Sequence, residues 1–246
     1  MQIEQIRCAP RNFRTGRAGQ LPIEAVVIHV IDGSLQAADT TFGDNTLDVP
    51  RSAHYGVGRA GEIHQYVAES DTAFHAGTIV SPSWTGLKRS HNGTFVNPNL
   101  YTIGIEHAGR ANDDWPDAMY ASSAALLRAM SGRYPALSQL SRRNVVMHRE
   151  IRASKSCPGH VADLNRLIAL ASDLPAAVSR PMLTRFNTNV RTGSPSRQAT
   201  VARVLPAHTL VNVVRDVVGD TIDGISRWCQ NTDDEFVWAG ALVPAE

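Results

Sequence analysis

The sequence has little of what marks several broad classes of protein. Its 246 residues include three cysteines, too few for a disulfide framework. No apolar run approaches the length that a membrane-spanning helix requires. The net charge is +1, and a nucleic-acid partner would need clustered positive charge. We therefore predict a globular chain that has neither a membrane nor a nucleic acid as a partner.

Lysine is also scarce. Lys88 and Lys155 are the two lysines, although lysine and arginine together number 24. Lys155 precedes Cys157 by two positions in a chain that otherwise uses arginine. A chemical role for Lys155 therefore competes with the simpler interpretation of a solvated loop charge.

The segment 173–180 divides the chain in two. Pro175 and Pro181 bracket small residues that show no periodicity. Strand-like and helix-like segments alternate before this point, whereas short β runs with turn signals follow it. We predict an α/β domain over residues 1–172, a linker over 173–180 and an all-β domain over 181–246.

Within the first domain, the hydrophobic pattern predicts five strands and two helices. In chain order they are the strand 25–30, a hairpin of 53–58 with 62–67, the strand 101–106, the helix 116–130, the strand 144–148 and the helix 161–171. His29, Glu106 and His148 fall at or near the ends of three of these strands. If those ends lie side by side, the three side chains form one site.

His29, His148 and Cys157 are candidate zinc ligands. A catalytic zinc ion typically has three protein ligands and leaves its fourth position to water. Two imidazoles and one thiolate satisfy this pattern if both histidines stand at the ends of neighbouring strands. Nine histidines permit accidental triads, so a hydrogen-bonded core histidine and a small buried cysteine remain the alternatives.

Several ordered motifs resemble the zinc-dependent N-acetylmuramoyl-L-alanine amidases, a family shared with peptidoglycan recognition proteins. The resemblance covers about Asn12 to Ala171, and its motifs are Arg11-Asn12-Phe13, Val27-Ile28-His29, Ser52-Ala53-His54-Tyr55, Gly61 to Gln65, Ala73 to Gly77, Thr102 to Glu106 and His148 to Gly159. It implies an α/β fold with a central mixed β-sheet flanked by helices, and a groove over a zinc ion. Peptidoglycan, through its glycan strand and stem peptide, is the implied partner.

The resemblance also implies roles for the residues of the site. His29, His148 and Cys157 match the family's zinc ligands. Lys155 matches a lysine that stabilises the negative oxygen of the tetrahedral intermediate. Glu106 matches a glutamate that some members use as a proton shuttle, and we expect it to be ionised near neutral pH.

Other family members place a tyrosine at the position of Ala53, and its absence leaves proton transfer to Glu106. A surface carboxylate at a strand end is the alternative interpretation of Glu106. His75, His64 and Tyr55 are expected to line the groove and bind substrate, although the two histidines could instead fill the core.

Residues 181–246 resemble a bacterial Src-homology-3-like β-barrel. The motifs are Asn189 to Ser196, Arg227-Trp228 and Val237-Trp238. Barrels of this kind accompany cell-wall hydrolases, where they bind wall peptides or dock on the enzyme.

Together these features predict a zinc amidase that cleaves peptidoglycan between N-acetylmuramic acid and L-alanine, as a phage-type endolysin. Two alternatives stay open: a non-catalytic peptidoglycan-recognition module, and a cytosolic amidase that recycles muropeptides. The extra barrel fits recycling poorly. Residues 1–7 carry an early acid and no apolar core of signal-peptide length, so we expect a soluble cytosolic product that acts on the wall after release.

Overall fold

The computed structural model describes residues 1–172, 180–231, 233 and 235–245. The chain forms two compact units, Met1–Asp173 and Leu174–Glu246. Nearly all of the predicted linker, residues 173–179, lies outside the described residues.

The first unit alternates strands and helices. Its strands are β1 (Glu4–Gln5), β2 (Phe13–Arg14), β3 (Ala25–Val30), β4 (Tyr55–Val57), β5 (Ile63–Gln65), β6 (Thr72–Ala73), β7 (Thr102–His107) and β8 (Val145–Met147). Its α-helices are α1 (Leu35–Gly43), α2 (Asp117–Ser131), α3 (His148–Ile151) and α4 (Leu164–Ala171). A short 3-10 helix, Pro98–Leu100, leads into β7.

Six of these strands form one mixed sheet in the order β1-β5-β4-β7-β3-β8. The β4–β5 hairpin is antiparallel, and the other neighbouring pairs are parallel. Strands β2 and β6 form a separate two-stranded sheet. The central mixed sheet and its helices confirm the predicted α/β fold.

The central strands carry apolar side chains on both faces, because each face of the sheet packs into a hydrophobic cluster. Val26 and Ile28 of β3 belong to the large core cluster that includes Leu127 of α2 and Leu167 of α4. Val27 points the other way, into a second cluster with Trp84 and Tyr101 among its members. Burying one such aliphatic side chain contributes about 1.5–3 kcal/mol. A continuous apolar run is typical of parallel strands buried on both faces.

Each strand and helix predicted for the first domain is present, and its ends lie within two residues of the prediction except at the start of α4, whereas β1, β2, β6, α1 and α3 were not predicted. Strand β8 ends at Met147, and His148 is the first residue of α3. Helix α4 begins at Leu164, three residues later than predicted, because the Asp163 carboxylate caps it by accepting hydrogen bonds from the Asn165 and Arg166 amides.

The second unit is a seven-stranded antiparallel sheet in the order β11-β10-β14-β13-β12-β9-β15. Its strands are β9 (Arg180–Thr184), β10 (Thr188–Arg191), β11 (Val201–Leu205), β12 (Leu210–Ile222), β13 (Ile225–Asn231), β14 (Phe236–Trp238) and β15 (Leu242–Pro244). Val190, Val213 and Val237 lie in its core, and Trp228 is buried. The prediction of an all-β second domain is confirmed, whereas its Src-homology-3-like identity stays a prediction.

Among the described residues, no helix has the length and apolar character that crossing a bilayer requires.

Candidate active site

Parallel pairing of β7, β3 and β8 brings three ionisable side chains to one edge of the sheet. His29 of β3 is directly opposite Glu106 of β7. Ile28 is opposite Met147, so His148 follows immediately beyond the end of β8. Because the carboxyl ends of parallel strands meet at the same edge, these residues become neighbours, as the strand pattern predicted.

Cys157 joins the two histidines from the loop that follows α3. The candidate ligand atoms of His29, His148 and Cys157 lie within 4.8 Å of one another, and no other such group of His, Cys, Asp and Glu occurs among the described residues. The Cys157 Sγ lies 3.9 Å from His29 Nδ1 and accepts a hydrogen bond from the Val30 amide at 3.2 Å. The predicted metal-ligand set is therefore assembled in space.

Gly159 lets the Cys157 loop approach a neighbouring segment closely. Its φ is +97°, and a Cβ atom there would lie 1.6 Å from the carbonyl oxygen of Ala111. The Arg149 amide donates a hydrogen bond to the Cys157 carbonyl at 3.0 Å. These backbone constraints hold the thiol at the edge of the sheet.

Burial fixes the ionisation of the cluster. It lowers the pKa of His29 well below its usual value, and it lowers the pKa of His148 to about 4. Both rings are therefore neutral, which is the form that binds metal. Burial, followed by the charge of Glu106, raises the pKa of the Cys157 thiol to about 12, so a bound cation would have to drive its deprotonation.

Each histidine of the cluster uses its second ring nitrogen for a contact inside the protein. His29 Nε2 lies 3.1 Å from His75 Nδ1. His148 Nε2 donates to the Ala76 carbonyl oxygen at 3.1 Å. Such contacts orient metal-ligating histidines, and they leave the Nδ1 atom of each ring for another partner.

The cluster lies in a cavity of about 490 Å³. Its lining combines imidazoles, two carboxyls, a lysine, an arginine, a thiol and small or apolar groups: His29, Val30, Ile31, Asp32, Ala38, Thr41, Phe42, Arg51, Ser52, Phe74, His75, Glu106, Ala111, His148, Lys155, Ser156 and Cys157. Lys155 is exposed on the cavity wall. Ala53 is fully buried and is not among the lining residues.

Glu106 lies in the cavity with one carboxyl oxygen buried. Its Oε2 atom has no hydrogen-bond partner within the described structure. Burial raises the pKa of Glu106 to about 8. Glu106 is therefore protonated at neutral pH in the metal-free protein. The expectation that it is ionised concerns the metal-bound site, where a cation among the neighbouring ligands would lower this pKa, and it stays a prediction.

The predicted substrate-binding residues separate into two groups. His75 lines the cavity, but Tyr55 and His64 are not among its lining residues. The Tyr55 hydroxyl donates to the Glu69 carboxylate at 2.9 Å, and His64 Nδ1 is hydrogen bonded to Asp39 at 2.8 Å. These contacts give Tyr55 and His64 a structural explanation, and their role in substrate binding stays a prediction.

The residues behind His75 were not predicted from the sequence. Asn99 and Thr102 form hydrogen bonds with it; Asn99 lies in the short 3-10 helix before β7, and Thr102 is the first residue of β7. The sequence signal that could have found them is Gly104, since a glycine inside a strand often marks a close approach. A Cβ atom at Gly104 would lie 2.5 Å from the Cγ atom of His75.

Comparison with known proteins adds relatives with the same architecture. N-acetylmuramoyl-L-alanine amidase A of Achromobacter lyticus is 35% identical over 112 residues, which are 44% of this chain and 51% of that protein. The 1,6-anhydro-N-acetylmuramyl-L-alanine amidase AmpD of Citrobacter freundii is 35% identical over 122 residues, 49% of this chain and 57% of that protein. A crystal structure of an AmpD selenomethionine derivative matches with a TM-score of 0.55 and 28% identity, covering 68% of this chain and 94% of that one.

The chain thus spans about half the length of the curated relatives that it matches. The family model described as N-acetylmuramoyl-L-alanine amidase matches residues 19–160, which is more than half of the chain and includes all three residues of the cluster. The chain therefore belongs to the N-acetylmuramoyl-L-alanine amidase family.

Proposed function

We propose that this protein is a zinc-dependent amidase that hydrolyses the bond between the lactyl group of N-acetylmuramic acid and L-alanine in peptidoglycan-derived muropeptides. The observation that carries the proposal is the cluster of His29, His148 and Cys157, which shares one cavity with Glu106 and Lys155. Family membership supports the choice of this bond.

The donor set fits zinc. Imidazole nitrogen and thiolate sulfur are its preferred ligands, and three protein donors leave one position for reaction. When bound by His29, His148 and Cys157, zinc would lower the pKa of a water molecule towards neutrality and polarise the scissile carbonyl. The neutral histidines need no deprotonation for this, whereas the Cys157 thiol must lose its proton.

Glu106 supplies the proton transfers. An amide has a poor leaving group, so the nitrogen must gain a proton as the bond breaks. With the metal present, Glu106 accepts a proton from the attacking water and delivers it to the leaving nitrogen. A carboxyl whose Oε2 atom has no partner in the described structure is free to exchange a proton in both steps.

Lys155 stabilises negative charge on the carbonyl oxygen of the tetrahedral intermediate. Its ammonium is on the cavity wall and carries three donors without an acceptor. A single well-placed donor to such an oxygen typically lowers the barrier by about 2.7–4 kcal/mol.

The relatives favour soluble muropeptide fragments over the intact wall as substrate. Several of them are named as 1,6-anhydro-N-acetylmuramyl-L-alanine amidases. A 1,6-anhydro bridge occupies the anomeric carbon, so the sugar that carries it is the end of a glycan fragment. This supports the muropeptide-recycling alternative over the endolysin interpretation, and recycling implies a cytosolic site of action.

Action on intact peptidoglycan is the second candidate, and the second unit is the observation that favours it. An all-β unit of Src-homology-3-like type would bind wall peptides. An enzyme that cleaves soluble fragments does not require such binding. A non-catalytic recognition module is the weakest alternative, because such a module needs neither Glu106 nor Lys155 beside a complete ligand set.

Product analysis distinguishes these candidates. The purified protein is incubated with a 1,6-anhydro muropeptide and with intact sacculi, and the products are identified by mass spectrometry. We expect release of a free stem peptide that begins with L-alanine, faster from the fragment than from sacculi. Faster release from sacculi favours wall lysis, and no release from either substrate contradicts an amidase function.

Metal analysis tests the ligand set. We expect one zinc ion per chain in the wild type and a large loss of zinc in Cys157→Ser. Cys229→Ser is the matched control, because Cys229 lies in the second unit and its Sγ donates to Asp216 at 3.5 Å, a contact that serine can keep. Full zinc occupancy in Cys157→Ser would contradict the assignment.

A further inference from the structure

One dipeptide, His75-Ala76, contacts both histidines of the cluster. The ring of His75 meets His29, with 3.1 Å between Nδ1 and the Nε2 atom of His29. The carbonyl of Ala76 meets His148, with 3.1 Å between its oxygen and Nε2. His29 belongs to β3 and His148 begins α3, so this dipeptide is a shared support for two different elements.

The proton positions along this chain of contacts follow from Thr102. Its Oγ1 lies 2.8 Å from the Pro98 carbonyl oxygen, and a carbonyl only accepts, so the threonine hydroxyl donates there. The same Oγ1 lies 3.3 Å from His75 Nε2. Because its hydrogen is already used, Oγ1 accepts, and the hydrogen of His75 is on Nε2.

The tautomer of His75 in turn determines the tautomer of His29. A neutral imidazole has one N–H, so His75 Nδ1 is an acceptor when Nε2 carries the hydrogen. The hydrogen in the His29–His75 contact therefore belongs to His29 Nε2. This leaves His29 Nδ1 with a free lone pair, and Nδ1 is the atom that lies 3.9 Å from the Cys157 sulfur.

The tautomer of His148 is determined by a single hydrogen bond. The Ala76 carbonyl accepts only, so His148 Nε2 must donate to it. Its Nδ1 is then the atom that carries a free lone pair. Both histidines are thus held in the Nε2–H tautomer by adjacent residues of the chain.

The supporting dipeptide is itself held in place. The Asn99 side-chain oxygen accepts hydrogen bonds from the His75 amide at 3.2 Å and from the Ala76 amide at 2.8 Å. Gly104 provides the space for the His75 ring. Asn99 and Thr102 are both buried, so water does not compete for these contacts.

We propose that the dipeptide His75-Ala76 positions the metal centre: the His75 ring, with Thr102 behind it, fixes the tautomer of His29, and the Ala76 carbonyl fixes that of His148, so that each ligand turns an unprotonated Nδ1 towards the metal. This inference rests on the proposed zinc site. It assigns His75 a role other than the substrate contact expected from the sequence.

The first test removes the side-chain acceptor behind His75. In Thr102→Val, His75 Nε2 loses the hydroxyl oxygen that lies 3.3 Å from it, while the Thr102 backbone carbonyl remains, so the ring is held less strictly with Nδ1 as an acceptor for His29. Zinc affinity, measured by competition with a chromophoric chelator, should fall by about 10–100-fold, as for other supports of metal-ligating histidines. Thr102→Ser keeps the hydroxyl and should restore the wild-type affinity.

A double-mutant cycle shows whether Thr102 acts through His75. The loss caused by Thr102→Val should disappear when it is introduced into His75→Ala, since no ring remains to be oriented. Equal losses in both backgrounds would mean that Thr102 affects zinc through packing, and they would overturn the proposal. So would wild-type affinity in Thr102→Val.

Nitrogen-15 NMR of the histidine side chains gives a readout that a packing role would not change. In the metal-free wild type, His29 and His148 should both show the Nε2–H tautomer. In Thr102→Val, His29 should become a mixture of tautomers while His148 is unchanged, because its support is the Ala76 carbonyl. An Nδ1–H tautomer of His29 in the wild type would contradict the inference.

These measurements do not depend on turnover. A wild-type protein that binds zinc in this tautomer but cleaves no muropeptide would overturn the proposed function and leave this inference standing. A protein that cleaves muropeptides with unchanged zinc affinity in Thr102→Val would do the reverse.

Discussion

Glu106 in the first unit and Glu235 in the second both have buried carboxyl oxygens, but their surroundings differ. Glu235 accepts hydrogen bonds from Arg203 Nη1 at 2.7 Å and from Asn231 Nδ2 at 2.9 Å. Glu106 keeps an Oε2 atom that has no partner among the described residues, and burial raises its pKa to about 8. Both oxygens of the Glu235 carboxylate accept a hydrogen bond, whereas burial favours the protonated form of Glu106.

The difference separates a structural role from a chemical one. A paired buried carboxylate strengthens the fold, whereas an unpaired buried polar group costs stability. Glu106 lies in the cavity with the metal cluster, and Glu235 lies in the connection between β13 and β14 of the second unit. The comparison therefore predicts opposite consequences when each carboxyl is replaced by the amide of the same shape.

The largest expected effect is on turnover. Glu106→Gln should lower the rate of muropeptide cleavage by about 10²–10⁴-fold, because an amide cannot carry protons between water and the leaving nitrogen. Glu235→Gln is the control and should leave turnover near wild type. Zinc content is measured in both, since near-normal activity in a zinc-loaded Glu106→Gln protein would return Glu106 to a structural role.

The next largest effect of Glu106→Gln is on the free energy of unfolding, and here the substitution is favourable although it harms turnover. The Glu106 pKa rises from 4.5 to about 8 on folding, so the folded metal-free protein holds a proton that the unfolded chain loses between these values. The contribution of this bound proton to the free energy of unfolding is fully present below about pH 4.5. It is lost as pH rises through 8, at up to about 1.4 kcal/mol per pH unit.

Glu106→Gln should therefore be more stable than wild type at pH 8 by a few kcal/mol and equal to it near pH 4. Chemical unfolding of the metal-free proteins at both pH values measures this. The gain should shrink when zinc is added, because the cation stabilises the ionised carboxylate. Equal stabilities at pH 8 would show that Glu106 is well solvated.

A smaller effect is expected in the second unit. Glu235→Gln removes the charge from the hydrogen bonds with Arg203 and Asn231 and should destabilise the fold by about 1–3 kcal/mol. Unfolding of the full-length chain near pH 7 gives the value. A stabilised Glu235→Gln protein would remove the contrast between the two glutamates.

The sequence predicted the parts of the site that depend on one strand at a time. Strand β3 is apolar along its length because both faces are buried, so His29 at its end stands out. The same holds for Glu106 near the end of β7. Parallel pairing then brings these ends together without further information.

Contacts between distant segments could not be predicted in this way. His29 and His75 are 46 positions apart, and Ala76 and His148 are 72 apart, so no local pattern records their hydrogen bonds. The raised pKa of Glu106 in the metal-free protein could not be predicted for a related reason, since it depends on burial in the folded chain, where Oε2 has no hydrogen-bond partner among the described residues.

The smallest effect on chemistry is expected from removing the second unit. The cluster, Glu106, Lys155 and the His75 support all lie within Met1–Asp173, so a chain ending at Ser172 should keep zinc and cleave soluble muropeptides at close to the full-length rate. If the second unit tethers the enzyme to the wall, the truncated chain should lose efficiency on intact sacculi alone, since tethering raises the local concentration of substrate. Circular dichroism melts of the truncated and full-length proteins accompany both assays. A truncated chain that unfolds at assay temperature would show that the second unit stabilises the first, and equal rates on sacculi would show that it does not serve as a wall anchor.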